Sequence, residues 1–254
     1  MLQVISALEG FAIEASDGRL GTVVDFLLDD SLWRVRWLVV ECGSWLKKRK
    51  VLIHPSALLS TKFEDQQLVV KLTMAEVDGS PDWSEDRPVS QQMETRIFDH
   101  YGWDPLWGAP NFEGIPGAMA SPLMAPAYFG LRESDRIDPD VELGDSHLRS
   151  FAEIVGYRLH TADGDIGHVE NLMIEDSDWS LRYFIVDTSN WWFGARVLIS
   201  PAAVSAIEWS DRHIQLNVTR EQVKSSPPWD PMVAFNKNYA KRLHHHYGWP
   251  GSES

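Results

Sequence analysis

The stretch DGDIGHVENLMIEDSDWSLRYFIVDT, residues 163–188, contains the strongest secondary-structure signals of the chain. It opens with Asp163-Gly164, a pair that favours the tight turn of a β-hairpin because such turns need positive φ angles. Apolar side chains then alternate in part through residues 166–174, and residues 181–188 are β-branched and aromatic, as is typical of strands. The polar run 175–178 between them indicates a turn. The stretch therefore predicts successive antiparallel strands.

The same pattern occurs a second time in the chain. A shift of 146 residues aligns 2–103 with 148–249 without a gap, and 28 of the 102 aligned pairs are identical. The tetrapeptide HYGW ends both copies, at 100–103 and 246–249. A period of this length indicates duplicated domains rather than a solenoid. We therefore predict a first domain over 1–103, a linker over 104–146, a second domain over 147–249 and a tail over 250–254.

Each copy contains about six short strand patterns joined by turn residues, which favours a mainly β fold with one small antiparallel barrel per copy. A Thr-x-x-Glu/Gln capping box follows the last strand, at Thr73–Glu76 and Thr219–Gln222, and predicts the start of a short helix. Residues 89–101 and 233–247 could form a second helix leading into HYGW. The linker is rich in Pro, Gly and Ala and then acidic, so it is expected to lack regular structure.

The string quoted above, with RVLISPAAV and NVTREQVKSSPPW further along, resembles the PRC-barrel family. The first copy, with DGRLGTVVDFLLDDSLWRVRWLVVE, KVLIHPSAL and KLTMAEVDGSPDW, is similar to it too. The family includes the cytoplasmic part of the photosynthetic reaction-centre H subunit and the end of a bacterial ribosome-maturation factor. The tandem arrangement resembles bacterial proteins that contain two such barrels. The resemblance implies two such barrels and no shared catalytic residues.

That resemblance implies a non-catalytic protein-interaction or assembly module. Two alternatives stay open: an accessory modulator of a membrane electron-transfer complex, and a ribosome-associated assembly factor. We expect no enzymatic activity, since no nucleophile elbow, H-E-x-x-H motif, phosphate loop or dinucleotide fingerprint occurs. No catalytic, cofactor-binding or metal-ligating residue is assigned, because consecutive histidines at 244–246 point apart on a helix and the carboxylates near 25–30 and 170–178 suit turns.

The composition bears on which partners the protein can bind and on where it is located. The net charge is −14, which disfavours direct binding to nucleic acid. No apolar run reaches the ~20 residues that a membrane helix needs, so we expect no membrane insertion. Cys42 is the only cysteine and excludes an intrachain disulfide. Together with the absence of a basic n-region at the N-terminus, it favours a cytoplasmic location.

Aromatic side chains are the candidate partner-binding residues. Three of them are expected at a hairpin tip, where they could contact the other barrel, a second copy of the chain or a partner protein. Packing over their own barrel end is equally compatible with the sequence. The HYGW aromatics are candidates for docking on a barrel, and for partner contact if that docking is not their role. The full set is Trp191, Trp192, Phe193, Tyr101, Trp103, Tyr247 and Trp249.

Overall fold

The computed structural model describes residues 1–43, 46, 48–81, 83, 89, 91–103, 147–189, 196–230 and 235–249. These residues fold mainly as β-structure, in two seven-stranded sheets. Within them, no helix is both long and apolar enough to cross a membrane. The predicted linker 104–146, the tail 250–254 and the predicted hairpin tip with Trp191, Trp192 and Phe193 lie outside the described residues.

One sheet is built mainly from the first copy. Its strands are β2 (Ala12–Glu14), β3 (Arg19–Asp29), β4 (Arg34–Cys42), β5 (Lys50–Ile53), β6 (Leu58–Lys62) and β7 (Gln67–Val70). They are ordered β5-β4-β3-β2-β7-β6, and β8 (Leu148–Ser150) pairs with β3.

The other sheet is built mainly from the second copy. Its strands are β9 (Arg158–Thr161), β10 (Gly164–Glu175), β11 (Leu181–Asp187), β12 (Arg196–Ile199), β13 (Val204–Glu208) and β14 (His213–Leu216). They are ordered β12-β11-β10-β9-β14-β13, which repeats the first order. The seventh strand is β1 (Leu2–Val4), which pairs antiparallel with β10 so that Leu2 faces Glu175.

The six strands predicted in each copy are present. Residues 151–154 form a turn of helix (Phe151–Ile154), and the first of the six strands in the second copy begins only at Arg158. Each sheet contains a parallel pairing, β2 with β7 and β9 with β14. The strands β1 and β8 are additions that the hairpin pattern did not reveal, because three residues are too few to show a period.

The chain divides into two compact units that differ from the two copies in sequence. One unit comprises Met1–Glu9, Asp25–Arg36 and Arg149–Ser254, and the other comprises Gly10–Val24 and Trp37–Leu148. The first unit thus includes the hairpin 25–36 of the first copy. This hairpin pairs with the second copy through Arg34, which forms an antiparallel bridge with Ser180.

Glycine is required where β3 and β10 pass the ends of their neighbouring strands. A Cβ on Gly21 would lie 2.0 Å from the carbonyl oxygen of Glu41, and one on Gly167 would lie 2.0 Å from that of Asp187. These are backbone atoms that cannot move aside as a side chain can. Gly21 and Gly167 are therefore required for the same reason, which is the close approach of two main chains.

Short helices follow each sheet. The helices α1 (Met74–Asp78) and α4 (Arg220–Lys224) both begin with the predicted capping box, in which Thr73 and Thr219 accept from the third helical N–H group. Each is followed by a longer helix, α2 (Gln91–Tyr101) or α5 (Lys237–Tyr247), which confirms the predicted order. The turn Phe151–Ile154 is α3. Single 3₁₀ turns occupy Ile5–Ala7, Pro55–Ala57 and Pro201–Ala203.

Candidate interaction surface

The HYGW tetrapeptide forms the C-terminal end of helices α2 and α5. Its glycine, Gly102 or Gly248, has a positive φ of 62° or 69°, which reverses the chain after the last turn. The N–H of the following tryptophan then donates to a helix carbonyl five residues earlier, Trp103 to Phe98 and Trp249 to His244, both over 3.0 Å. The glycine of the motif therefore ends the helix in both copies.

The aromatic side chains of HYGW stack on one another in the same way in both copies. The rings of Tyr101 and Trp103 have centroids 4.2 Å apart with planes 12° apart, and those of Tyr247 and Trp249 have 4.2 Å and 14°. Trp103 and Tyr247 are 7% and 9% exposed. These four candidate residues therefore lie in intramolecular stacks, and a role in partner binding stays a prediction for them.

The histidine of each tetrapeptide joins the two helices of its copy. Nε2 of His100 donates to the carbonyl oxygen of Glu76, and Nε2 of His246 donates to that of Gln222, both over 2.7 Å. Each acceptor lies in the short helix that begins at the capping box. The hydrogen bonds fix the long helix against the short one.

Beneath helix α2 lies a buried polar contact within an aromatic cluster. The indole Nε1 of Trp37 donates to Oε1 of Glu94 over 2.6 Å, and both side chains have 0% exposure. His54, Phe98 and Trp103 pack around Trp37, with ring centroids 5.3–6.2 Å from it. A carboxylate this deeply buried needs hydrogen-bond donors, and the indole N–H supplies one.

Beneath helix α5 the equivalent positions carry a different polar pair. Tyr183 replaces Trp37, and its hydroxyl is hydrogen-bonded to Nε2 of His244 over 2.8 Å. The position of Glu94 is taken by Ala240, which is buried. Burial raises the pKa of Tyr183 to about 12, while nearby Arg182 opposes the shift. The two copies thus retain one polar contact between sheet and helix but make it with different residues.

An open cleft lies beside helix α5, with a volume of about 650 Å³. The segment 225–230 forms one wall, and residues at the start and on one face of the helix form the other. The side chains used below are Trp229, Phe235, Tyr239, Arg242 and His245. Trp229, Phe235 and Tyr239 are half-buried, whereas Arg242 and His245 are exposed.

Hydrogen bonds hold the walls of this cleft in place. The hydroxyl of Tyr239 donates to the carbonyl oxygen of Pro227 over 2.9 Å, which ties the helix to the opposite wall. The backbone N–H of Trp229 donates to the carbonyl oxygen of Arg196 over 2.9 Å. Asn236 caps the helix by accepting from the N–H of Tyr239 over 2.9 Å. These hydrogen bonds fix Tyr239 and the backbone of Trp229, which lowers the entropic cost of ordering these groups when a ligand binds.

The segment 220–249, which includes the cleft, differs in charge from the equivalent segment of the first copy. Residues 220–249 carry five Lys or Arg and two Asp or Glu, whereas the equivalent residues 74–103 carry two and seven. Sequence inspection had identified none of the cleft residues as candidates, because HYGW and the predicted hairpin tip carried the more conspicuous aromatics. The signal that could have identified them is this reversal of charge between two copies of one segment.

Within the described residues, no group of three or more His, Cys, Asp or Glu side chains is arranged to hold a metal ion. The carboxylates at the hairpin turns are used by the backbone instead. Oδ1 of Asp29 accepts from the N–H groups of Ser31 and Leu32, and Oδ1 of Asp178 accepts from that of Ser180. These are the hydrogen bonds expected of acidic turn residues.

The comparison with protein families agrees with this architecture. Residues 147–223 match the family model of the PRC-barrel domain, so the chain contains such a domain in its second half. The matched range contains all strands of the second copy and the short helix α4 except its last residue. No curated protein matches the sequence.

Proposed function

We propose that this chain is a non-catalytic protein-interaction or assembly module that binds a partner at the cleft beside helix α5. The observation that carries the proposal is the cleft itself: three half-buried aromatic rings and an exposed arginine on walls that intramolecular hydrogen bonds hold in place. Tryptophan, tyrosine and arginine are enriched among the few residues that carry most of the binding energy in protein interfaces. The PRC-barrel domain in residues 147–223 is consistent with an interaction role.

The environments of several reactive side chains support a non-catalytic role. Burial raises the pKa of the Cys42 thiol to about 11, which disfavours the nucleophilic thiolate at neutral pH. His54 is 5% exposed, and its Nδ1 is hydrogen-bonded to the hydroxyl of Ser56 over 2.9 Å. His244 and His246 are engaged with Tyr183 and a helix carbonyl. These groups are placed for packing and for helix attachment.

A photo-crosslinking experiment tests the proposal. A photoreactive phenylalanine analogue would replace His245, which is exposed on the cleft. The matched control is Asp99, the exposed residue at the equivalent position of helix α2. We expect a discrete crosslinked protein in a cell lysate from position 245 and none from position 99. The proposal fails if neither position, or both positions equally, yield a crosslinked product.

The two alternatives, modulation of a membrane electron-transfer complex and ribosome-associated assembly, stay predictions. Under the first alternative the protein would co-sediment with membranes, and under the second it would co-sediment with ribosomes. Sedimentation of a lysate after mild crosslinking would separate membrane, ribosome and free fractions, and the distribution of the chain among them would distinguish the three roles.

A further inference from the structure

We propose that the cleft beside helix α5 binds a carboxylate-rich segment of a partner protein. This inference rests on the proposed function and specifies the chemistry of the partner. The cleft combines aromatic walls with the guanidinium of Arg242, on a helix that carries two further exposed lysines. This combination suits an extended peptide with acidic and apolar side chains.

The charge of the cleft region is the first argument. Residues 220–249 have an excess of three positive charges, with histidines counted neutral, in a chain of net charge −14. The duplicated segment 74–103 has an excess of five negative charges. Since both segments form the same pair of helices, the fold does not require the positive charge. A basic segment on an acidic protein attracts acidic ligands at short range, because charges farther away than about one Debye length, ~8–10 Å, are largely screened by salt.

The placement of the cationic groups is the second argument. Arg242 lines the cleft, and its guanidinium carbon lies 5.9 Å from the centre of the Tyr239 ring. A guanidinium held near an aromatic face keeps its donors free for a carboxylate, to which it can donate two parallel hydrogen bonds. Lys237 and Lys241 are exposed on the same helix, outside the lining of the cleft, and add to the positive charge of that helix.

The other titratable groups at the cleft are few. His245 and His246 lie on the helix side, and Asp230 lies on the opposite wall. Asp230 is the only carboxylate among the described residues that line the cleft. An acidic ligand would therefore place its carboxylates toward helix α5 and its apolar side chains toward Trp229, which limits how it can be oriented.

The experiment measures the binding of a labelled acidic peptide to the full chain by fluorescence anisotropy. The peptide carries fluorescein and has fourteen residues, in which Glu and Asp alternate on both sides of a central Trp and Leu. Competitors are the same peptide with Lys at every acidic position and a single-stranded oligonucleotide of equal charge. The test variant is Arg242→Glu combined with Lys241→Glu. The matched control is Arg96→Glu, because Arg96 occupies the position of Arg242 on helix α2 and is also exposed.

We expect saturable binding of the acidic peptide in low salt, at least a tenfold weaker affinity for the double variant, and a change of less than about twofold for Arg96→Glu, since exposed ion pairs are modest individually. Salt at 0.5 M should weaken binding by a similar factor of about ten. Unchanged melting temperatures would show that the variants fold.

Four outcomes would overturn the inference: no binding of the acidic peptide, equal losses for the double variant and Arg96→Glu, better competition by the lysine peptide, or equal competition by the oligonucleotide, which would indicate a general polyanion site. If the peptide fails while the crosslinker at position 245 still captures a partner, only the acidic chemistry is wrong. If both fail, the cleft is not an interaction surface.

Discussion

The backbone N–H of Val35 donates a hydrogen bond to the carbonyl oxygen of Trp179 over 2.9 Å. Replacing each residue by its counterpart in the other copy gives a second bond, from the N–H of Leu181 to the carbonyl oxygen of Trp33 over 2.7 Å. The two bonds are therefore equivalent under the duplication. Both tryptophans have positive φ angles, 53° and 58°, which are uncommon for a bulky side chain. These reciprocal bonds help to hold that strained geometry.

The strain at Trp179 leads to a prediction about two substitutions. Trp179 is 5% exposed and stacks on Phe26, so either Trp179→Gly or Trp179→Ala should destabilise the protein by about 3–5 kcal/mol. The left-handed backbone is about 1–2 kcal/mol less favourable for alanine than for glycine. We therefore expect the alanine variant to be the less stable of the two in chemical denaturation. Equal stabilities, or a more stable alanine variant, would show that the backbone at 179 is not strained.

Two glycines in the second copy should respond differently to alanine. At Gly248 an added Cβ has nothing within 4 Å, so Gly248→Ala should lose only the left-handed backbone preference, about 1–2 kcal/mol. At Gly167 the Cβ would lie 2.0 Å from a carbonyl oxygen. Gly167→Ala should therefore destabilise the protein at least twice as much, and Gly21→Ala should reproduce that loss. Similar unfolding free energies for Gly167→Ala and Gly248→Ala would contradict this explanation.

The contact between Tyr183 and His244 should be measurable by a double-mutant cycle. His244→Ala removes the partner of a buried hydroxyl and should lower the free energy of unfolding by about 1–3 kcal/mol. In a Tyr183→Phe background no hydroxyl remains to be left unsatisfied, so the same substitution should be less destabilising. We expect a coupling free energy of about 0.5–3 kcal/mol. A coupling of zero would mean that the 2.8 Å contact contributes nothing to stability.

Alkaline pH should destabilise the protein through Tyr247. Burial raises the pKa of Tyr247 to about 12, and Ser226 opposes the shift, whereas an unfolded tyrosine titrates near 10. A raised pKa means that the unfolded chain loses its proton first. The associated stability is complete below about pH 10 and declines as the pH rises toward 12.

The control for the alkaline prediction is Tyr247→Phe, which has no hydroxyl to ionise. Melting temperatures between pH 8 and 12 should fall less steeply for this variant than for the original chain, while the two should agree closely at pH 8. Other groups also titrate in this range, so the difference between the two curves is the quantity of interest. Parallel curves would exclude a contribution from Tyr247.

The parts of the fold that were predictable from sequence have local signals. Asp163-Gly164 indicated a hairpin, and the capping boxes at Thr73 and Thr219 indicated helix starts, because turn and cap chemistry involves residues close together in the chain. Strand β1 had no such signal. Its partner Glu175 lies about 170 residues away, and neither a periodic pattern nor a turn connects them. The parallel pairing of β9 with β14 was missed for the same reason.

The candidate site was less predictable than the fold. The HYGW aromatics were expected to dock on a barrel or to contact a partner; in the structure the glycine ends a helix and the rings stack, and partner contact stays a prediction. The cleft residue Arg242 is paired with an identical Arg96 in the first copy, so neither position appears special by itself. Only the charges around each arginine differ, and a comparison of the two whole segments is needed to recognise that.

The pairing of β1 with β10 has a consequence for the order of events during biosynthesis. Leu2–Val4 is made about 170 residues before its partner residues Met173–Glu175. At about 5–20 residues per second, the N-terminal segment waits roughly ten seconds or more without its neighbour. Strand β1 is therefore the first strand of its sheet to be made, but it cannot pair until β10 is complete. A nascent chain released before residue 175 would expose β1 as an unpaired strand to other proteins in the cell.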